Sequence, residues 1–408
     1  MQIKKCSLNE FGHPEIQGTD LNQLIERLTQ HQYIDREFTN YFLFTYRYFT
    51  QPLNLLNCLK ERYYASKLED STEDETQIIP LIQMRVATVL FSWIESRFSC
   101  YDFDDPNSEF SVEVITFLEV LKNNPVCRTE ALNSESLLLQ IFKTDPRPTQ
   151  TELIPLPVSL MAEDTPMTIL SFDVQTIADF IAFKDYEVFA KIQPQEFLNQ
   201  SWNKPQASVK SPNIIEMTNR FNNLGNWVVY EVLSGVTPKD RCQLVLHLFQ
   251  VAKELQEMND LNGMCAIMSG LINSSIVRLK KTFAKLAKKE KSTVWEDMTK
   301  AIMGEENFKT LRRCWANAKP PAVPFLAITL KDLTFLEDGN PTFLQDGGIN
   351  FYKFRKIGEV VQEIASYQHL SYPSVVNPDL QSYIQTKSEQ ATQEGTMGLY
   401  RISKKREP

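Results

Sequence analysis

Glycine is scarce in this sequence: 13 residues in 408, about 3% where an average chain carries ~7%. Tight hairpin turns and phosphate-cradling loops need the positive φ angles that glycine adopts freely. The shortage therefore argues against a β-sandwich or a nucleotide-cradling α/β enzyme, and for helices. Histidine is scarcer still, with four residues, at 13, 31, 247 and 369. His247 sits beside an apolar helical stripe, the setting of a structural histidine rather than of a general base. None of G-x-x-x-x-G-K-[ST], G-x-G-x-x-G, H-E-x-x-H or G-x-S-x-G occurs, so the common signatures of nucleotide, metalloprotease and hydrolase chemistry are missing. The seven cysteines (6, 58, 100, 127, 242, 265 and 314) never pair as C-x-x-C. That pattern suggests free thiols in a reducing compartment, not a disulfide framework or a metal site. There is no uninterrupted apolar run of about 18 residues and no signal-like start, so a cytoplasmic protein is expected. At a net charge of −8, the chain lacks the cation surplus of a general nucleic-acid binder.

What is present reads as helix. The chain is 42% hydrophobic and 23% charged, ordinary for a folded protein, and long enough for two or three domains. Residues 20 to 50 read as helix, turn, helix, with Leu21, Leu24, Ile25 and Leu28, then Phe38, Tyr41, Phe42, Thr45 and Phe49, at helical spacing. Pro52 suits a first helical position. Val86, Val89, Leu90, Trp93 and Ile94 repeat at offsets of three and four, and a further helix is predicted around 111 to 122. Between 143 and 167 five prolines and no period predict a linker. A second helical block follows from 168 to 388, with amphipathic stretches at 244–255 and 264–271. "KKTFAKLAKKEK" (280–291) puts Phe283, Leu286 and Ala287 inward and its lysines in solvent. Residues 389–408 are predicted as a disordered mixed-charge tail.

Two features of the second block call for more than a core. Polar clusters recur in "NIIEMTNRFNNLGNWVVYEVL" (213–233) and around Asn273, Ser274 and Ser275; caps and turns account for some of them, and a protein-binding face would account for the rest. "LKDLTFLEDGNP" (330–341) ends an apolar helical stretch on adjacent acids, although cations are favoured at a helix C-terminus.

The second block resembles the catalytic domain of Ras-type guanine-nucleotide exchange factors. The match runs through "TIADFIAFKDYEVFAKIQPQEFLNQSW" (176–202), "NIIEMTNRFNNLGNWVVYEVL", "LNGMCAIMSGLINSSIVRLKKTF" (261–283), "PAVPFLAITLKDLTFLEDGNPTF" (321–343) and "INFYKFRKIGEVVQEIASYQ" (349–368). The first block is similar to the Ras exchanger motif domain, through "LIERLTQHQYIDREFTNYFLFTYRYFTQPLNLLNCLKERYY" (24–64) and "MRVATVLFSWIESRF" (84–98). The resemblance implies an all-α fold: an N-terminal helical bundle (1–142) packed on a larger all-helical catalytic domain (168–388) with a protruding helical hairpin, the first block bracing that hairpin through apolar contacts. It implies an exchange catalyst without covalent chemistry, cofactor or metal, acting on a Ras-, Rap- or Ral-like GTPase. No residue pattern marks a membrane anchor, which leaves peripheral membrane recruitment to a partner or to domains outside this sequence. A catalytically inactive GTPase-binding scaffold of the same fold is the alternative.

By the same resemblance Thr334 obstructs the magnesium site, and Asp338, with Glu337, meets the nucleotide site and switch I. Phe325 lies in the pocket for an apolar switch II side chain, and Asn219, Arg220, Asn273, Ser274 and Asn340 fall in GTPase-facing segments. Ile192, Pro194, Phe197, Trp202 and Trp227 are expected to be scaffold. This chain departs from the family pattern in "SGLINSSIV" (269–277), where Ile272 intervenes and a proline is lost. It departs again at Asp338, usually glutamate, and at Tyr352 and Phe354, where smaller or basic residues are common.

Overall fold

In the computed structural model of the protein, the described residues are 5–8, 14–16, 18–65, 75–96, 102–103, 105–143, 167–289, 293–374 and 377–408. The predicted linker, 143–167, lies outside them except for Lys143 and Met167. The chain divides into two compact units. Unit 1 takes Met1–Glu152, Gln193–Gln200 and Asp332–Gln362; unit 2 takes Leu153–Ile192, Ser201–Lys331 and Glu363–Pro408. The architecture is all-α, and a two-stranded antiparallel hairpin, β1 (Lys5–Leu8) with β2 (Pro14–Ile16), is a small addition in unit 1.

After this hairpin, the α-helices of the first segment of unit 1, among the described residues, are α1 (Leu21–Leu28), α2 (Arg36–Thr45), α3 (Pro52–Tyr64), α4 (Glu75–Glu95), α5 (Glu109–Lys122) and α6 (Arg128–Lys143). Their starts follow local chemistry. Asp20, Asp35 and Ser108 accept hydrogen bonds from the first-turn amides of α1, α2 and α5, satisfying donors that no helical carbonyl can reach. Pro52 opens α3, where its missing N–H is no loss. Leu24, Phe42, Leu56, Leu90, Trp93 and Val114 form one core. A carboxylate is buried inside it: Tyr46 and Trp93 each donate to Asp102 Oδ2 at 2.8 Å, and Arg47 pairs with its other oxygen. The stretch Gln77–Glu95 is long and apolar enough to cross a membrane by length and composition, although Gln83, Arg85 and Ser92 interrupt it. Val86, Leu90 and Trp93 on this stretch have no exposed surface, and α4 is a core helix of unit 1.

Unit 2 contains α7 (Val174–Phe189), α8 (Ala207–Lys210), α9 (Pro212–Ser234), α10 (Pro238–Glu257), α11 (Leu261–Leu271), α12 (Ser274–Val277), α13 (Lys280–Lys289), α14 (Val294–Ile302) and α15 (Lys309–Asn317). The chain then passes along α16 (Leu326–Gly339), which ends in unit 1, and returns along α17 (Phe351–Ser366). The buried helices α9, α10 and α11 form the centre, around Trp227, Leu248 and Met268. Gly270 lets α9 and α11 approach: a β-carbon there would stand 2.6 Å from the Gly225 carbonyl oxygen and 2.6 Å from Val228 Cβ.

The expected disordered tail is corrected by α18 (Pro378–Arg406), which packs on α9 with Leu380, Ala391 and Leu399 buried. In α13 Leu286 is buried and Phe283 half-buried, but Ala287, expected inward, is exposed. Ile192, Pro194, Phe197, Trp202 and Trp227 are all buried.

Candidate functional site

The end of α16 sorts its side chains by helical face. Leu333 is fully buried and Leu336, Glu337 and Asn340 are partly so, while Phe335 and Asp338 are exposed and Thr334 lies between. Residues three and four apart share a helix face, so the adjacent acids 337 and 338 point apart. Glu337 turns into unit 1, its side chain only 10% exposed, and pairs with Lys353 Nζ at 3.1 Å. The Tyr48 hydroxyl donates to the same carboxylate and accepts the amide of Asn199 at 2.7 Å. Burial, reinforced by the negative charge of Glu337, raises the Tyr48 pKa and keeps the hydroxyl a donor.

This clasp also accounts for acids at a helix C-terminus. Lys353 Nζ donates to the Glu337 carbonyl at 3.2 Å, setting a cation against the dipole end. Asn340 donates to the Leu336 carbonyl at 3.0 Å, satisfying one of the last helical acceptors. Asp338 accepts from Gln200 Nε2 at 2.8 Å and is otherwise presented outward. Asn199 and Gln200, which reach Tyr48 and Asp338, both have left-handed backbone, φ 55° and 50°.

The turn between α16 and α17 is fastened at both ends. Asn350 donates to the Pro341 carbonyl, and its amide to the Thr342 carbonyl, each at 3.0 Å. Ile349 exchanges two backbone hydrogen bonds with Thr19. Along α17, Phe351 lies 4.8 Å from the Phe38 ring and Phe354 lies 5.1 Å from both Tyr48 and Phe49. Gly358 allows contact with α2, since a β-carbon would meet Tyr41 Cδ1 at 2.5 Å. The apolar bracing expected from the sequence is therefore found inside unit 1. The departure at Phe354 is part of it, whereas Tyr352 is exposed. The polar clasp was missed: Tyr48 and Glu337 are 289 residues apart, beyond any local pattern. Glu337, grouped by sequence with the residues meeting the nucleotide site, has its carboxylate committed to the fold.

The remaining candidates belong to unit 2. Phe325 is half-buried, stacked 5.4 Å from Phe221 and edge-on 6.2 Å from Phe308. Lys331 sits 5.2 Å over the Phe308 ring, a cation–π contact that steadies this aromatic group. Asn219 is exposed on α9, but Arg220 is tied inward, pairing with Asp185 and donating to the Ile181 carbonyl at 3.3 Å. Asp185 has no exposed surface and also accepts from Asn262 at 2.7 Å. Beside it, Asp260 caps α11 through the Gly263 amide at 2.9 Å. Burial, with the neighbouring Asp185 charge, raises the Asp260 pKa well above the usual carboxylate range. Asn273 accepts from the Ser275 amide at 2.9 Å and caps α12, Ser274 is exposed, and Ser275 is buried. Ile272, the intervening residue in "SGLINSSIV", is the C-cap that follows α11. Asn219 and Ser274 thus present side chains outward, while Arg220, Asn273 and Asn340 are occupied by the fold.

Comparison with known proteins gives these positions a context. The RasGEF N-terminal motif matches residues 15–121, and the RasGEF domain follows it at 176–355. The chain belongs to the RasGEF family. Among curated RasGEF relatives, Ras guanine nucleotide exchange factor J of Dictyostelium discoideum is 34% identical over 89% of this chain and 45% of its own length. Ras guanine nucleotide exchange factor A of the same organism is 30% identical over 96% of this chain and 65% of its length. Protein son of sevenless of Drosophila melanogaster is 26% identical over 88% of this chain and 24% of its length. The chain thus spans less than two thirds of these relatives. The RasGEF domain match includes Asn219, Arg220, Asn273, Ser274, Phe325, Thr334, Glu337, Asp338 and Asn340.

Proposed function

We propose that this chain is a guanine-nucleotide exchange factor for a Ras-subfamily small GTPase of the Ras, Rap or Ral kind. The observation that carries the reading is the ordered pair of family matches, RasGEF N-terminal motif then RasGEF domain, on one chain. The side chains at the end of α16 support it. A nucleotide held at picomolar affinity, about −16 kcal/mol, leaves slowly, and acid–base chemistry does nothing to hasten it. A protein that binds the nucleotide-free GTPase better than the loaded one weakens nucleotide binding by the same factor, because linkage is reciprocal.

In this reading the end of α16 supplies the differential contact. Asp338 brings a carboxylate toward groups otherwise bound to phosphate and metal, where like charges repel most strongly if water is sparse. Thr334 takes space beside the metal position. Glu337 acts through the fold, holding the helix end that presents Asp338. Phe325, with Asn219 and Ser274, receives switch II, and Arg220, Asn273 and Asn340 shape the segments that carry these contacts. No cofactor or covalent step is required.

Release of a fluorescent GDP analogue from purified Ras, Rap and Ral proteins tests this reading. Acceleration is expected for at least one. Asp338→Lys or Phe325→Ala is then expected to slow it about tenfold or more, roughly 1.4 kcal/mol of barrier. Tight binding of nucleotide-free GTPase without acceleration would make the chain a scaffold instead, and neither binding nor acceleration would remove the reading.

A further inference from the structure

The exchange reading leaves one feature of the sequence unused: the lysine run that begins at 280. Residues 278–289 hold six cations and no acid, and 401–407 hold four cations and one acid, in a chain of net charge −8. The fold brings these two segments together within unit 2. Glu407, the only acid among them, is 5% exposed. Its carboxylate accepts from the Lys281 amide (2.7 Å), the Thr282 amide (3.1 Å), the Thr282 hydroxyl (2.7 Å) and Arg241 Nη2 (2.8 Å). Arg278 completes the joint by donating to the Glu407 carbonyl at 2.7 Å and to Ser403 at 3.2 Å. The acid that could have offset the lysines is thus turned inward against a buried arginine.

The outward faces are both basic and apolar. On α13, Lys281, Lys285 and Lys288 are exposed along one stripe. On α18, Met397, Tyr400, Arg401 and Lys404 share the face opposite the buried Leu399 and Ser403. Met397 is 72% exposed, Val277 48% and Tyr400 36%. Lys404 and Arg278 flank the Tyr400 ring at 5.0 and 6.0 Å. Cations around an exposed methionine, valine and tyrosine suit an interface with lipid, where ammonium groups meet headgroups and apolar side chains enter the acyl boundary. A polynucleotide would use the cations but gives Met397 and Val277 no apolar phase.

We propose that this surface of α13 and the end of α18 binds anionic membrane lipid directly. Each cation held near such a surface is worth about fivefold in affinity, over a range of ~10 Å at moderate salt. Three lysines on one stripe therefore account for roughly a hundredfold.

The test is co-sedimentation of the full chain with phosphatidylcholine vesicles, with and without phosphatidylserine. Binding is expected only where phosphatidylserine is present and should weaken as salt rises. The triple variant K281Q/K285Q/K288Q should bind roughly a hundredfold more weakly, and Met397→Ser several-fold more weakly, with circular dichroism melts unchanged because all four side chains are exposed. Equal sedimentation with both vesicle types, or wild-type binding by the triple variant, would overturn the proposal. So would a Met397→Ser variant with full lipid binding, or a single-stranded RNA that binds more tightly than the vesicles and depends on the same lysines.

Discussion

Glu337 and Asp338 are neighbours of the same charge, yet their surroundings assign them opposite energetics. Replacing Glu337 by alanine would leave Lys353, only 5% exposed, without its counter-charge; breaking such a buried pair costs about 3–5 kcal/mol. Asp338→Ala, at an exposed position with one hydrogen bond, should stay within ~0.5 kcal/mol. Chemical denaturation of the two variants checks this, and equal losses would remove the distinction between clasp and contact. Asp260 carries a pH dependence of the opposite sense to the usual carboxylate. Burial and then Asp185 raise its folded-state pKa. The folded chain therefore binds more protons than the unfolded one above the ordinary aspartate range, and stability falls as pH rises toward the raised value. Asp260→Asn retains an acceptor for the Gly263 amide and cannot ionise. Its thermal midpoint is expected to match or exceed the parent at neutral pH and to vary less with pH; an unchanged slope would assign the dependence elsewhere.

Among the helices, α17 depends on contact too close for any other residue at 358. Gly358→Ala gains about 1 kcal/mol of helix propensity, but the new β-carbon would stand 2.5 Å from Tyr41 Cδ1. Overpacking of that kind costs ~1–3 kcal/mol, so a net loss of stability is expected by denaturant titration, relieved by Tyr41→Ala in the same chain. This scale also divides what sequence could reveal from what it could not. The helices α1 to α5, α10 and α11 announce themselves because large apolar residues recur every three or four positions. By contrast, α18 buries Ala391, Gly398 and Ser403 alongside Leu380 and Leu399, so close packing by small residues leaves no apolar stripe to read. The site divides in the same way. The acids after an apolar stretch marked the end of α16, but which of them faces outward depends on Tyr48 and Lys353, partners that no spacing rule selects.

Across the molecule, the end of α18 secures unit 2. Arg241 has no exposed surface, and Glu407 is its charge partner at 2.8 Å. Glu407→Ala would leave that guanidinium without a counter-charge, held by the Gly235 and Val236 carbonyls at 3.0 Å and the Thr282 hydroxyl at 3.1 Å, a loss of about 3–5 kcal/mol. Burial opposes the charge of Glu407, but hydrogen bonds from Thr282 and Arg241 outweigh it and hold its pKa below the usual range. This part of the stability is therefore present at neutral pH and is lost as pH falls through that lowered value. Denaturation of Glu407→Ala against Glu407→Gln checks the assignment, since the amide keeps part of the network; indistinguishable variants would count against it.

Unit 1 is discontinuous in the chain, and this sets an order of events during synthesis. Phe38 and Phe42 pack against Phe351, and Tyr48 closes on Glu337, 289 residues later. At ~5–20 residues per second, the ribosome needs on the order of 15 to 60 s to deliver that partner. For that interval α1 to α6 must stand with part of their core uncovered while Leu153–Ile192 and Ser201–Lys331 of unit 2 emerge. The nascent chain therefore carries an exposed aromatic surface that the finished protein never shows, and its yield in the cell should depend on whatever covers apolar surface during that delay.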